Sequence, residues 1–183
     1  MKQDVKWFLR FIPEFNGYSK YVKEPIEHMH TIAIDACLTG VGGVWGGKVY
    51  TAKLPEKWAK NEACHINHFE MVNILVAIRL WGEKWKHKHV KVYVDNASVF
   101  QVCNNGYTRD SFLASCIRNI WFHTSIWDIS LEVAHIPGYH NKTADLLSRW
   151  QNNDTCNETL GKLVNDPVWC RVDESLFHID ENI

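Results

Sequence analysis

Four carboxylic acids stand in contexts that could bring them to one place. Asp35 ends the short apolar run Ile32 to Ile34, and Asp95 ends the alternating run HVKVYVD. Glu70 lies in the middle of an apolar stripe, and Asp145 falls in the first turn of an expected helix that Asn141 would cap. A buried acid is unfavourable unless something binds it. For Glu70 the alternative is a pair with a buried basic group. Four carboxylates in one cleft would repel and raise each other's pKa. Hard divalent cations resolve that conflict, and all-oxygen ligation points to Mg²⁺ or Mn²⁺ rather than zinc. Two such ions about 4 Å apart suit in-line phosphoryl transfer. In that scheme Asp35 bridges both ions, Glu70 and Asp95 complete the shell of one, and Asp145 serves the other. No side-chain nucleophile is needed, which fits the absence of a G-x-S-x-G motif.

The elements that position these acids follow from periodicity. Residues 30–53 predict three strands joined by tight turns, with Gly46-Gly47 as a hairpin signal. Gly42 and Gly43 inside the second strand predict close backbone approach by a neighbour or ligand. A charged loop, broken by Pro55, follows. Residues 66–85 predict the clearest helix, with Ile66, Ile74, Ala77, Ile78, Trp81 and Trp85 on one face. A strand to Asp95, helices from Asn96 to about Asn104 and from about Asp110 to Trp127, a strand over 130–136 and a helix over 141–150 complete the pattern. If the first and fourth strands are adjacent and parallel, Asp35 and Asp95 end about 4.8 Å apart at the sheet's C-terminal edge.

The chain has 183 residues, 46% of them hydrophobic and 22% charged, which is ordinary globular composition. Three parts are expected: a connecting segment over 1–29 with a helix to about Phe11, a domain over 30–150, and a polar linker over 151–183 with one short helix in DPVWCRVDESLFHI. Nine tryptophans predict an aromatic core. A net charge of −1 and a pI of about 6.8 argue against a protein that grips nucleic acid by charge alone. They leave room for an enzyme that meets phosphates through bound metal. Lys84, Lys86, Lys88 and Lys91 form one dense basic patch, either a solvated edge or a phosphate contact. Six cysteines without a C-x-x-C pair read as reduced core thiols, and no apolar run is long enough to span a bilayer. The expected location is intracellular, in cytoplasm or nucleus.

The order strand-Asp, helix-Glu, strand-Asp, helix-Asp resembles the ribonuclease H fold and its four-acid site. The strings IDACLTGVGGVWGG, HINHFEMVNILVAI, VYVDNASVFQVCNNGYTRDS and HIPGYHNKTADLLSRW are similar to the ribonuclease H domain of retrotransposon reverse transcriptases. The closest likeness is to DIRS-type elements, which use a tyrosine recombinase. The resemblance covers roughly 31–150. It implies an α/β fold with a five-stranded mixed sheet, three antiparallel strands then two parallel, flanked by helices. It also implies a two-metal endonuclease that cuts the RNA strand of RNA–DNA hybrids and leaves a 5′-phosphate and a 3′-hydroxyl. Asp35, Glu70, Asp95 and Asp145 carry over as catalytic metal ligands. The partner would be the polymerase domain of the same polyprotein. The histidine that many relatives carry before the last aspartate falls on His140 or His135. The basic protrusion of some relatives is reduced here to NNGYTRDS, with Arg109 its one cation. The rival expectation is a silent or domesticated scaffold that binds nucleic acid or protein.

Two further places bear on chemistry. Asn96 and Ser98 open a helix whose N–H groups suit a phosphate, or simply a cap. Cys64, His65 and His68 lie within CHINH, but the spacing lacks a second ligand pair for zinc.

Overall fold

The computed structural model describes residues 2–15, 29–61, 63–150 and 156–181. About half of the expected connecting segment and the start of the linker lie outside the described residues. Strands β1 (Met29–Ala36), β2 (Gly40–Trp45) and β3 (Lys48–Lys53) form an antiparallel meander. Gly46 and Gly47 both have positive φ, so they supply the two-residue hairpin between Trp45 and Lys48 without a Cβ clash. Strands β4 (His89–Val94) and β5 (Ser130–His135) add in parallel beside β1.

The sheet has six strands, in the order β5-β4-β1-β2-β3-β6, and not five. The extra one, β6 (Val168–Trp169), pairs in parallel with β3. It comes from DPVWCRVDESLFHI, which forms this strand and a 3-10 turn at Glu174–Phe177 instead of one helix. The single helical turn is held by the side chain of Asp173, which accepts from Ser175 N–H. The polar stretch before it is not all linker, because Cys156–Leu163 is helical.

Helix α1 (Lys2–Phe11) ends where expected. Helix α2 (Glu56–Ala59) is one turn after Pro55, inside the expected loop. Helix α3 (Ile66–Trp81) ends four residues early, and a 3-10 turn at Gly82–Trp85 takes over. It is also buried on nearly all sides rather than along one stripe. The reason is its partners: β1 and β2 cover one side, while α5 (Ser111–Ile126) and the Glu174–Phe177 turn cover others. Helix α4 (Ala97–Asn105) packs on β4 and β5. Helix α6 (Lys142–Ser148) and helix α7 (Cys156–Leu163) lie together.

Two cores result. The larger surrounds α3 and includes Trp45, Trp81, Trp85 and Tyr50 in mutual ring contact. The smaller joins Val49, Leu147 and Leu160. Val49 and Tyr50 are consecutive on β3, so the two cores occupy opposite faces of the sheet. The aromatic core is therefore real, although Trp121 and Trp169 are largely exposed. Cys37, Cys64, Cys103, Cys116 and Cys170 are free thiols, and only Cys116 is fully buried. Among the described residues no helix is long and apolar enough to cross a membrane.

Candidate metal centre and substrate cleft

The parallel register pairs Ile32 with Val92 and Ala33 with Tyr93. Two residues further on, the same register sets Asp35 beside Asp95. Carboxylate oxygens of Asp35, Glu70 and Asp95 lie within 4.8 Å of one another. Asp35 is 4% exposed and Glu70 3% exposed. These three line one cleft with Asn96 and Asp145. Asp145 stands apart from the trio. Its side chain is 46% exposed, and Oδ1 accepts from Arg149 Nε at 2.7 Å.

Each acid is held by its element. Glu70 reaches the sheet end because α3 crosses beneath β1, and its Oε1 accepts from Ala36 N–H at 3.4 Å. Asn73, one turn later and fully buried, donates to the carbonyls of Asp35 (2.7 Å) and Gly42 (3.0 Å) and accepts from Tyr50 Oη (2.6 Å). It fastens α3 to β1 and β2 directly under the acids. On the other face, α6 lies against β2 so closely that a Cβ on Gly42 would sit 2.4 Å from Ser148 N. The close approach expected at Gly42 is thus by a helix backbone. Thr51 Oγ1 donates to the Leu147 carbonyl (2.7 Å) and Cys37 Sγ to the Ser148 carbonyl (3.1 Å). These sheet groups satisfy carbonyls at the end of α6 that have no partner within the helix.

Ser148 ties the two halves of the site. It is fully buried, donates to Asp35 Oδ2 at 2.5 Å and lies 2.9 Å from the carbonyl oxygen of Asp145. Asn141 occupies the cap position of α6 but makes no side-chain cap. Its Nδ2 instead donates to the Ile34 carbonyl (2.8 Å), because the residue is buried against β1. Asn96 is a true cap, accepting from Ser98 and Val99 N–H, while its Nδ2 donates to Asn67. Ser98 itself is exposed. His140 sits exposed in the 3-10 turn Gly138–His140, with its ring edge-on to Tyr139. His135 bonds the carbonyl of Asp95 through Nε2 (3.2 Å). The Lys84–Lys91 patch lies at the start of β4, at the opposite end of that strand from Asp95.

The electrostatics match the crowding. Burial, with the charges of Asp95 and Asp145 adding to it, pushes Asp35 up to about 6 despite the bond from Ser148. Burial and the charges of Asp35 and Asp95 push Glu70 well above the ordinary carboxylate range. Glu70 Oε2 is buried with no hydrogen-bond partner among the described residues. Such an oxygen is costly without a counter-charge, and a hard divalent cation supplies one. No buried basic group pairs with Glu70 among the described residues. The donor set of this structure therefore fits Mg²⁺ or Mn²⁺.

A second cluster joins His65, His68 and Asp110. His68 Nε2 meets the Asp110 carboxylate at 2.9 Å, and the Nδ1 atoms of His65 and His68 lie 3.0 Å apart. The two ring centroids are only 3.8 Å apart. Two imidazoles pointing at one ion through bonds of about 2.0–2.1 Å would stand further apart. The cluster links the N-termini of α3 and α5 as a hydrogen-bonded relay.

A mixed sheet with an antiparallel meander, two added parallel strands and acids at their ends is the ribonuclease H fold. The ribonuclease H1 of the halophilic archaeon Halobacterium salinarum NRC-1 shares it, with a TM-score of 0.50 and 16% identity over 66% of this chain and 94% of that one. Residues 56–151 match the reverse transcriptase-like family, and the chain belongs to that family. The match spans Glu70, Asp95 and Asp145 and begins after the meander that carries Asp35. No curated protein is significantly similar to the chain in sequence.

Sequence reasoning did not single out Asn73, Ser148 or Arg149. Asn73 was detectable as a polar residue inside the apolar run of α3. Ser148 carried no signal of its own, because its role depends on a β1–α6 contact across 113 residues. Arg149 was detectable as a cation four residues after Asp145.

Proposed function

We propose that this chain is a divalent-metal-dependent nuclease that hydrolyses the RNA strand of RNA–DNA hybrids during reverse transcription. The observation that carries the reading is the convergence of Asp35, Glu70 and Asp95 at the sheet's end, two of them buried and one with an orphaned oxygen. Family and fold support it. Asp35, Glu70 and Asp95 would hold Mg²⁺ or Mn²⁺, with Asp145 completing the set for a second ion. Two bound ions supply Lewis-acid stabilisation of the phosphate and an activated water.

The protein's own residues do the rest. Ser148 holds one oxygen of Asp35 and leaves the other for the cleft. Asn73 fixes the backbone beneath it. Arg149 keeps Asp145 oriented at the cleft's outer wall. Asn96 lines the cleft at the start of α4, and His135 holds the carbonyl of Asp95. Ser98 and His140 would meet the substrate from outside this lining. Hybrid selection would come from 2′-hydroxyl contacts on one strand and duplex shape on the other. The domain would work beside a reverse-transcriptase polymerase, in cytoplasm or nucleus. The motif strings favour an element of DIRS type.

A second reading, a silent scaffold, draws on Asp145, which is ion-paired and outside the trio. One experiment separates them: cleavage of an end-labelled hybrid in Mg²⁺ and in Mn²⁺, beside single-stranded RNA and double-stranded DNA. The nuclease reading expects cutting of the hybrid alone, abolished by Asp35→Asn. Hybrid binding without cutting by a folded protein would favour the scaffold.

A further inference from the structure

The acid cleft continues past Asp145. A second depression of about 520 Å³ shares Asp145 and Arg149 with it. This groove runs along α6, between the Gly138–His140 turn on one side and α7 on the other. Its chemistry differs from that of the cleft. Lys142 opens α6 and Arg149 follows its end, about two turns apart, and both are exposed cations. Tyr139 is 67% exposed, and its ring is braced edge-on against His140. Thr159 and Leu163 of α7 form the far wall. Asp145 is the groove's one carboxylate among the lining residues, and Arg149 already neutralises it.

Cations flanking an aromatic ring, over a partly apolar floor, suit a chain of phosphates and sugars. A strand whose reacting phosphate lies over the acid trio must leave the cleft somewhere, and this groove opens directly from it. We propose that the groove between α6 and α7 holds the sugar–phosphate backbone of one hybrid strand next to the scissile phosphate. Lys142 and Arg149 contact the phosphates, and Tyr139 packs on a sugar. Helix α7 lies beyond the segment that matches the family, so this wall is a contribution of this chain's own C-terminal region. The proposal rests on the nuclease reading.

The test is binding of the full chain to a fluorescent RNA–DNA hybrid in Ca²⁺ over a range of KCl, with cleavage in Mg²⁺ alongside. Lys142→Ala should weaken binding and lower the slope of log affinity against log salt by about one. Thr159→Lys, on the opposite wall, should strengthen binding and raise the slope. Lys84→Ala, at the far end of β4, should leave the slope as it was. All three positions are exposed, and equal melting temperatures would show that folding is intact. Unchanged slopes for Lys142→Ala and Thr159→Lys, in a protein that still binds and cuts hybrids, would overturn the groove and spare the nuclease. An unaltered chain that neither binds nor cuts would overturn both.

Discussion

At the scale of the residue, Asp35 carries the largest conflict that can be followed by titration. Its pKa rises from the ordinary 3.8 to about 6, first through burial and then through its neighbours' charge. The folded state therefore binds the proton more tightly than the unfolded chain. This contribution to stability is complete below about pH 4 and is lost as pH rises through 6, a swing of roughly 3 kcal/mol. Without divalent metal, Asp35→Asn should melt higher than the unaltered protein at pH 7, and the gap should close by pH 4. Calorimetry at both pH values checks this, and an equal gap at both would mean that Asp35 is not strained. Mg²⁺ should recover stability at pH 7 in the unaltered protein only.

Three of the acids were legible because each breaks a local pattern: Asp35 and Asp95 end strands, and Glu70 interrupts an apolar helix. Asp145 breaks none and followed from the order of the motifs. Ser148 was not legible, because a serine near a helix end breaks no pattern. Asn141 was misleading for the same reason. Its position favours a cap, but the buried carbonyl of Ile34 offers a competing partner, and tertiary contact wins.

At the scale of the element, α6 depends on a missing side chain. Gly42 lets seven residues of helix lie directly on β2, with Leu147 and Ser148 in contact. Gly42→Ala would push α6 outward, because a new Cβ would meet backbone that cannot rotate away. The expected cost is roughly 1–3 kcal/mol, from overpacking of a tight contact. The displacement would also part Ser148 from Asp35, so hybrid cleavage should fall at least tenfold while the protein remains folded. Melting temperature and cleavage rate, measured together, check this. A stability loss with full activity would mean that α6 moves without disturbing the acids.

The strands and long helices followed from period-two and helical spacing. The short elements did not. Strand β6 has two residues, too few for any periodicity, and it exists because β3 offers an edge to pair with. Helix α3 shows the opposite failure. Its apolar residues were visible, but the number of partners around it depends on where the chain's last segment returns.

At the scale of the whole molecule, one arginine gathers that return. Arg79 on α3 donates through Nε to His123 (3.0 Å) and through Nη2 to Asn119 (3.1 Å), both on α5. Through Nη1 it donates to the carbonyls of Leu176 (3.0 Å) and His178. Burial, with the Arg79 charge adding to it, pushes His123 down to about 4, so it accepts as a neutral ring at physiological pH. Arg79→Ala would leave several of these groups without their partner at once. Hydrogen bonds to a charged donor contribute about 1.5–3 kcal/mol each, and they do not add fully. The variant should lose roughly 2–4 kcal/mol in urea denaturation, and residues near 176–180 should become open to proteolysis first. A loss under 1 kcal/mol would mean that the C-terminal segment is held by its apolar contacts alone.

The enclosure of α3 has a bearing on timing. A helix covered on nearly every side leaves its surroundings only when the domain as a whole opens, so Glu70 rides on the slowest-exchanging part of the chain. Asp145 rides on a seven-residue helix against the smaller core, a smaller unit whose contacts can part without opening the domain. The four carboxylates thus belong to two clocks, with Asp35, Glu70 and Asp95 tied to the lifetime of the fold and Asp145 tied to that of one short helix.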